Sequence, residues 1–86
     1  MTLELFHKQA CPYSAKVRDF IHAEQLSEEI PFSDIERDAG KREVLMEKTD
    51  DVQVPCLMIN GEPLLESDDI IVWLKDHRDE FRGQLN

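Results

Sequence analysis

The stretch Val54-Pro55-Cys56-Leu57-Met58-Ile59-Asn60-Gly61-Glu62-Pro63-Leu64-Leu65 decides how the chain folds. An apolar run opens at a proline, a position that a strand tolerates. It runs into Asn60-Gly61, the strongest short hairpin signal in the chain, because a two-residue hairpin turn needs positive φ at its centre. Glu62 to Leu65 reads as the returning strand. Strands joined so tightly pair antiparallel.

Toward the C-terminus, Ser67 reads as a helix N-cap. Asp68 and Asp69 fall in the first turn, where carboxylates complement the helix dipole. Ile70, Ile71, Leu74 and Phe81 share one helical face, and the tail from Gly83 is expected to fray. Toward the N-terminus, Thr49-Asp50-Asp51 ends a brief helix over Lys41 to Lys48. Asp38-Ala39-Gly40 breaks a short strand over Ile30 to Glu36. Tyr13, Val17, Phe20 and Ile21 recur at helical spacing behind Pro12, which suits the first helical position, so a helix runs from about Pro12 to Gln25. Thr2 to Phe6 alternates as a first strand.

The predicted order is β-α-β-α-β-β-α. Strands separated by helices imply parallel pairing for the first pair, while the hairpin makes the last pair antiparallel. The expected fold is α/β: a four-stranded mixed sheet with three helices distributed over both faces. Residues 1–86 form a single domain, without repeats or low-complexity tracts.

The formal net charge of -9 repels phosphate backbones and anionic membrane surfaces, so neither nucleic acid nor a membrane is an expected partner. No segment approaches the roughly 18 apolar residues of a membrane span. Met1 to Phe6 carries Glu4 and does not read as a secretory segment. A cytoplasmic location is expected. Two cysteines, Cys11 and Cys56, are too few for a disulfide scaffold. His7, His22 and His77 are scattered without metal-ligand spacing, so no metal is expected.

Cys11 stands at a strand-to-helix junction. The first N–H groups of a helix lack backbone partners and carry partial positive charge, so a sulfur there is stabilised as the anion. Lys8, three residues earlier, adds a cation. The thiolate is the form that attacks disulfide sulfur. Against this stands the plain reading of a small residue capping a helix; spacing alone divides the two evenly.

Lys8-x-x-Cys11-Pro12-Tyr13-Ser14 resembles the active-site segment of glutaredoxins. Val54-Pro55 resembles the Val-Pro in which those proteins carry a cis-proline facing the active-site sulfur. Gln53-Val54-Pro55 with Leu65-Glu66-Ser67-Asp68-Asp69-Ile70-Ile71 resembles the N-terminal, glutathione-binding domain of glutathione transferases even more closely. The resemblance covers nearly the whole chain, in order, and implies the thioredoxin fold. It also implies a glutathione site. Lys8 would pair with the glycine carboxylate, and Tyr13 would line the cysteinyl part. Val54, before Pro55, would exchange backbone hydrogen bonds with the tripeptide as an added strand does. Ser67 and Asp68 would hold the γ-glutamyl carboxylate and amine, and Glu66 matches the acidic residue that precedes the serine in the transferases.

Two positions depart from the glutaredoxin pattern. Ser14 stands where most of these proteins have a second cysteine, which leaves a one-thiol route with Cys11 as nucleophile and Ser14 as a hydrogen-bond donor to its thiolate. Leu65-Glu66 occupies the place of the usual Gly-Gly and leans toward the transferase branch. Cys56 reads as a partly buried strand residue without chemistry, with a resolving thiol as the alternative. The expected activity is glutathione-dependent thiol–disulfide oxidoreduction on glutathionylated or disulfide-containing substrates, by a monomer, with glutathione as co-substrate. The competing reading is a non-catalytic glutathione-binding or interaction module. A conjugating transferase is not expected, because the 86 residues hold no helical second domain for an electrophile.

Overall fold

The computed structural model describes the backbone of residues 1–82 and the side chains of residues 1–80. Its elements are β1 (Leu3–His7), α1 (Pro12–Ala23), β2 (Phe32–Asp34), α2 (Ala39–Thr49), β3 (Cys56–Ile59), β4 (Glu62–Leu65) and α3 (Ser67–Arg82). The order is the one read from the sequence. The Phe81 side chain and the tail from Gly83 lie outside the described residues.

The sheet order is β2-β1-β3-β4. β1 pairs parallel with β2 and antiparallel with β3, and β3 pairs antiparallel with β4. Asn60 and Gly61 adopt φ of 53° and 84°, the positive pair that the tight turn requires. Strand alternation then divides the interior in two. Leu3, Leu5 and Leu57 pack with Val17 and Ile21 of α1 and with Ile70 and Leu74 of α3. Phe6, Cys56 and Met58 face the other way, toward Leu45 of α2 and toward Ile35, which follows β2. Helices therefore cover both faces of a thioredoxin-like fold. Full burial of a side chain such as Leu57 contributes about 1.5–3 kcal/mol.

Several boundaries differ from the sequence reading, each for a local reason. α2 starts at Ala39, because Asp38 accepts the Lys41 N–H at 3.2 Å and so caps the helix instead of merely breaking the strand before it. α1 stops at Ala23, with Gln25 in the left-handed region at φ 59°. β2 shortens to Phe32–Asp34 between the buried Ile30 and Ile35. Ser67 is the first residue of α3 and not the residue before it; the Ile70 N–H bonds to the Glu66 carbonyl at 3.0 Å, and Glu66 turns the chain with φ 75°.

Register sets up the site. Phe6 lies opposite Cys56, and Cys56 opposite Leu65. The chain leaving β1, entering β3 and leaving β4 therefore emerges at one end of the sheet.

Candidate functional site

At that end, Cys11 is the N-cap of α1, with Pro12 opening the helix behind it. Its sulfur accepts the Ser14 backbone N–H at 3.4 Å, taking the place that a serine or aspartate oxygen usually fills. The Val54 carbonyl lies 3.9 Å from the sulfur, at the long limit for a thiol donor. Ser14 is fully buried, and its hydroxyl accepts the Lys8 N–H at 3.4 Å. Partial burial pushes the Cys11 thiol up. Hydrogen bonds from the Ser14 backbone, the Ser14 side chain and the Tyr13 backbone, together with the Lys8 charge, outweigh that effect, so the net shift is below the ordinary thiol value.

Beside the sulfur lies an open cleft of about 470 Å³ lined by Tyr13, Gln53, Val54, Pro55, Glu66, Ser67 and Asp68. Three segments far apart in sequence build it: the first turn of α1, the chain into β3, and the start of α3. Tyr13 is largely exposed, at 66%, and offers its ring to the cleft. The Val54–Pro55 peptide is cis. Ser67 is buried at the first position of α3, where the N–H groups of the opening turn favour an anion. Asp68 is exposed and ion-paired with Lys16 across from α1. Glu66 accepts a hydrogen bond from Gln53 Nε2 at 3.1 Å, which ties one wall of the cleft to the other.

A second cleft, of about 390 Å³, is lined by Lys8, Ile35, Glu36, Ala39 and Arg42. Lys8 thus sits on the far flank of the Cys11 loop from Ser67 and Asp68. Two cations of this cleft, Lys8 and Arg42, suit a carboxylate.

The structure brings Tyr13, Val54, Pro55, Glu66, Ser67 and Asp68 to one cleft, with Cys11 and Ser14 at its edge and Lys8 beyond them. Gln53 and Arg42 were not among the expected site residues. Gln53 directly precedes Val54-Pro55, and Arg42 belongs to the basic pair Lys41-Arg42 in the first turns of α2; those adjacencies are the signals in the sequence. Cys56 is fully buried in the α2-side cluster, and burial pushes its thiol up to about 11. Among the described residues, no group of three His, Cys, Asp or Glu side chains is arranged to hold a metal. Within the described residues, no helix is long and apolar enough to cross a membrane.

Comparison with known proteins points the same way as the geometry. A glutathione S-transferase of the silkworm Bombyx mori, described as diazinon-metabolizing, has the same fold, with 23% identity and a TM-score of 0.71 over 88% of this chain and 37% of that one. A glutathione transferase family member from Pseudomonas fluorescens Pf-5, solved with bound glutathione, is 26% identical over 88% of this chain and 38% of that one, with a TM-score of 0.71. Escherichia coli glutaredoxin is 27% identical over 92% of this chain and 99% of its own, with a TM-score of 0.58. The chain thus spans little more than a third of the length of the two transferases. No curated protein matches it. The family model for the glutathione S-transferase N-terminal domain matches residues 5–81, and the chain belongs to that family.

Proposed function

We propose that the chain is a glutathione-dependent thiol–disulfide oxidoreductase that uses Cys11 as its nucleophile by a one-thiol route. The observation that carries this reading is the Cys11 sulfur, capped by the Ser14 N–H and held below the ordinary thiol value, at the edge of the cleft of Tyr13, Val54, Pro55, Ser67 and Asp68.

Glutathione is an extended tripeptide with a carboxylate at each end, an amine at one, and a thiol at its centre. The γ-glutamyl carboxylate suits Ser67 and the N–H groups of α3, and the amine suits Asp68. Tyr13 flanks the cysteinyl part, and the Val54 backbone pairs with the peptide. The glycine carboxylate suits Lys8, with Arg42 beside it. Glu66 and Gln53 brace the wall between the two ends.

The chemistry proceeds in two exchanges. Cys11 thiolate attacks the glutathione sulfur of a mixed disulfide. The Cys11–glutathione S–S bond forms, the old S–S bond breaks, and the substrate leaves as a thiolate that takes a proton from water. A second glutathione thiolate then attacks the glutathione sulfur of this adduct. Oxidised glutathione forms, and Cys11 leaves as the thiolate it began as. Ser14 has no thiol to compete in the second step. Its main-chain N–H and hydroxyl stabilise the leaving Cys11 thiolate.

Reduction of hydroxyethyl disulfide with glutathione tests the reading. Turnover that disappears in Cys11→Ser supports it. Turnover retained in that variant rejects it, and glutathione binding without turnover in the unaltered protein assigns a binding module instead.

A further inference from the structure

Arg18 lies one turn beyond Ser14 on α1 and does not line the cleft of Tyr13, Val54 and Ser67. Its guanidinium donates to the Lys8 carbonyl at 3.0 Å, to the Gln9 carbonyl at 3.3 Å and to His7 Nδ1 at 2.9 Å. A guanidinium only donates, so His7 accepts at Nδ1 and carries its proton on Nε2. His7 is nearly fully buried, at 3% exposure, and rests edge-on against Phe32 of β2. The Lys8 carbonyl also accepts the Cys11 N–H at 3.3 Å, and the Lys8 N–H donates to Ser14 Oγ at 3.4 Å. Among the described residues, the hydrogen bonds of the four-residue loop between β1 and α1 thus run through Arg18, Ser14 or Cys11 itself.

We propose that Arg18 is a positioning residue, which fastens Lys8 and Gln9 of this loop, together with His7 at the end of β1, onto α1 and thereby fixes both the Lys8 cation and the Cys11 sulfur relative to the helix N-terminus. The planar fork matters. It reaches two carbonyls and a ring nitrogen at once, which a lysine ammonium on a flexible stem does not reproduce. A loop held only by Ser14 Oγ and the Cys11 N–H lets Lys8 drift from the sulfur and loosens the cap geometry that favours the thiolate. The inference deepens the reading of Cys11 as nucleophile and rests on it.

The test is the pH dependence of Cys11 alkylation by iodoacetamide, read at the Cys11 peptide by mass spectrometry, in the unaltered protein, Arg18→Met, Arg18→Lys and Arg78→Met. Arg78 pairs with Glu24 at the opposite end of α1 and serves as a control for lost stability alone. In Arg18→Met the alkylation midpoint rises toward the value of an ordinary thiol, about 8.5. Exchange with a glutathione mixed disulfide slows roughly tenfold or more, because the reacting groups are no longer held in place. Arg18→Lys recovers part of both, and Arg78→Met changes neither. An unchanged midpoint in folded Arg18→Met overturns the proposal. If that variant fails to fold, an unchanged midpoint in Arg18→Lys overturns it equally. A midpoint near 8.5 in the unaltered protein instead overturns the Cys11 reading itself, and so separates the two failures.

Discussion

The sulfur of Cys11 accepts the backbone N–H of Ser14 at 3.4 Å, across the first turn of α1. The position that holds a second thiol in most glutaredoxins here supports the first one from below. Ser14 is buried and bonded to the Lys8 N–H, so it is part of the scaffold around the proposed nucleophile as well as a neighbour of it.

Replacing Ser14 separates these roles. In Ser14→Ala the backbone N–H remains while the hydroxyl is lost, so the Cys11 thiol titrates higher than in the unaltered protein but still below an ordinary thiol. The Lys8 N–H loses its acceptor, and stability falls by about 1–3 kcal/mol. Thermal unfolding and pH-dependent alkylation measure the two effects. Ser14→Cys supplies a resolving thiol, and oxidised glutathione then yields an internal disulfide in place of a stable adduct, visible as intact mass.

The pH dependence of stability has opposite signs for the two cysteines. The Cys11 thiol is lowered on folding, so its contribution is fully present above the ordinary thiol pKa and is lost as the pH falls through the lowered value. Cys56 is raised to about 11 by burial. The folded state holds its proton where the unfolded state releases it, so stability declines as the pH rises from about 9 to 11, by about 2–3 kcal/mol at most. Chemical denaturation across this window shows that decline in the unaltered protein, with a shallower slope in Cys56→Ala. Equal slopes contradict the assignment.

Lys8 and Arg42 share one cleft, and the proposed reading gives them different roles. Lys8→Met weakens glutathione binding and also raises the Cys11 alkylation midpoint, because the Lys8 charge acts on the sulfur. Arg42→Gln weakens binding without moving the midpoint. Calorimetric titration with glutathione beside alkylation profiles checks the split.

Asp68→Asn removes the carboxylate proposed to meet the γ-glutamyl amine. Glutathione binding weakens roughly three- to tenfold, less than the usual range for a charged hydrogen bond because Asp68 is exposed. Stability stays within about 1 kcal/mol, since the Asp68–Lys16 pair lies at the surface. A glutathione analogue without the α-amine loses no affinity in this variant, which isolates the contact.

Much of this architecture was legible in the residues. Asn60-Gly61 announced its own turn, because few dipeptides accept positive φ twice in succession. Pro12 marked the start of α1, and with it the helix terminus beneath Cys11. The meeting of Cys11, Val54-Pro55 and Ser67-Asp68 was legible only through family resemblance, since β1, β3 and β4 bring these segments together by register and not by any local spacing. Asp38 misled because an Asp-Ala-Gly run serves equally as a break and as a cap; only the path of the following helix decides. Ser67 was displaced by one position because Glu66 adopts a φ that favours glycine. Arg18 gave no sign, and Gln53 and Arg42 gave only that of their neighbours in the chain. Each acts on a loop from another segment, and polar side chains at such positions carry no periodic signal.

The most direct test is to incubate the protein with oxidised glutathione and read the intact mass and the peptide map. The account predicts one glutathione per chain, attached to Cys11, with Cys56 unmodified in its buried cluster. A Cys11–Cys56 disulfide, or an unmodified Cys11, would contradict it.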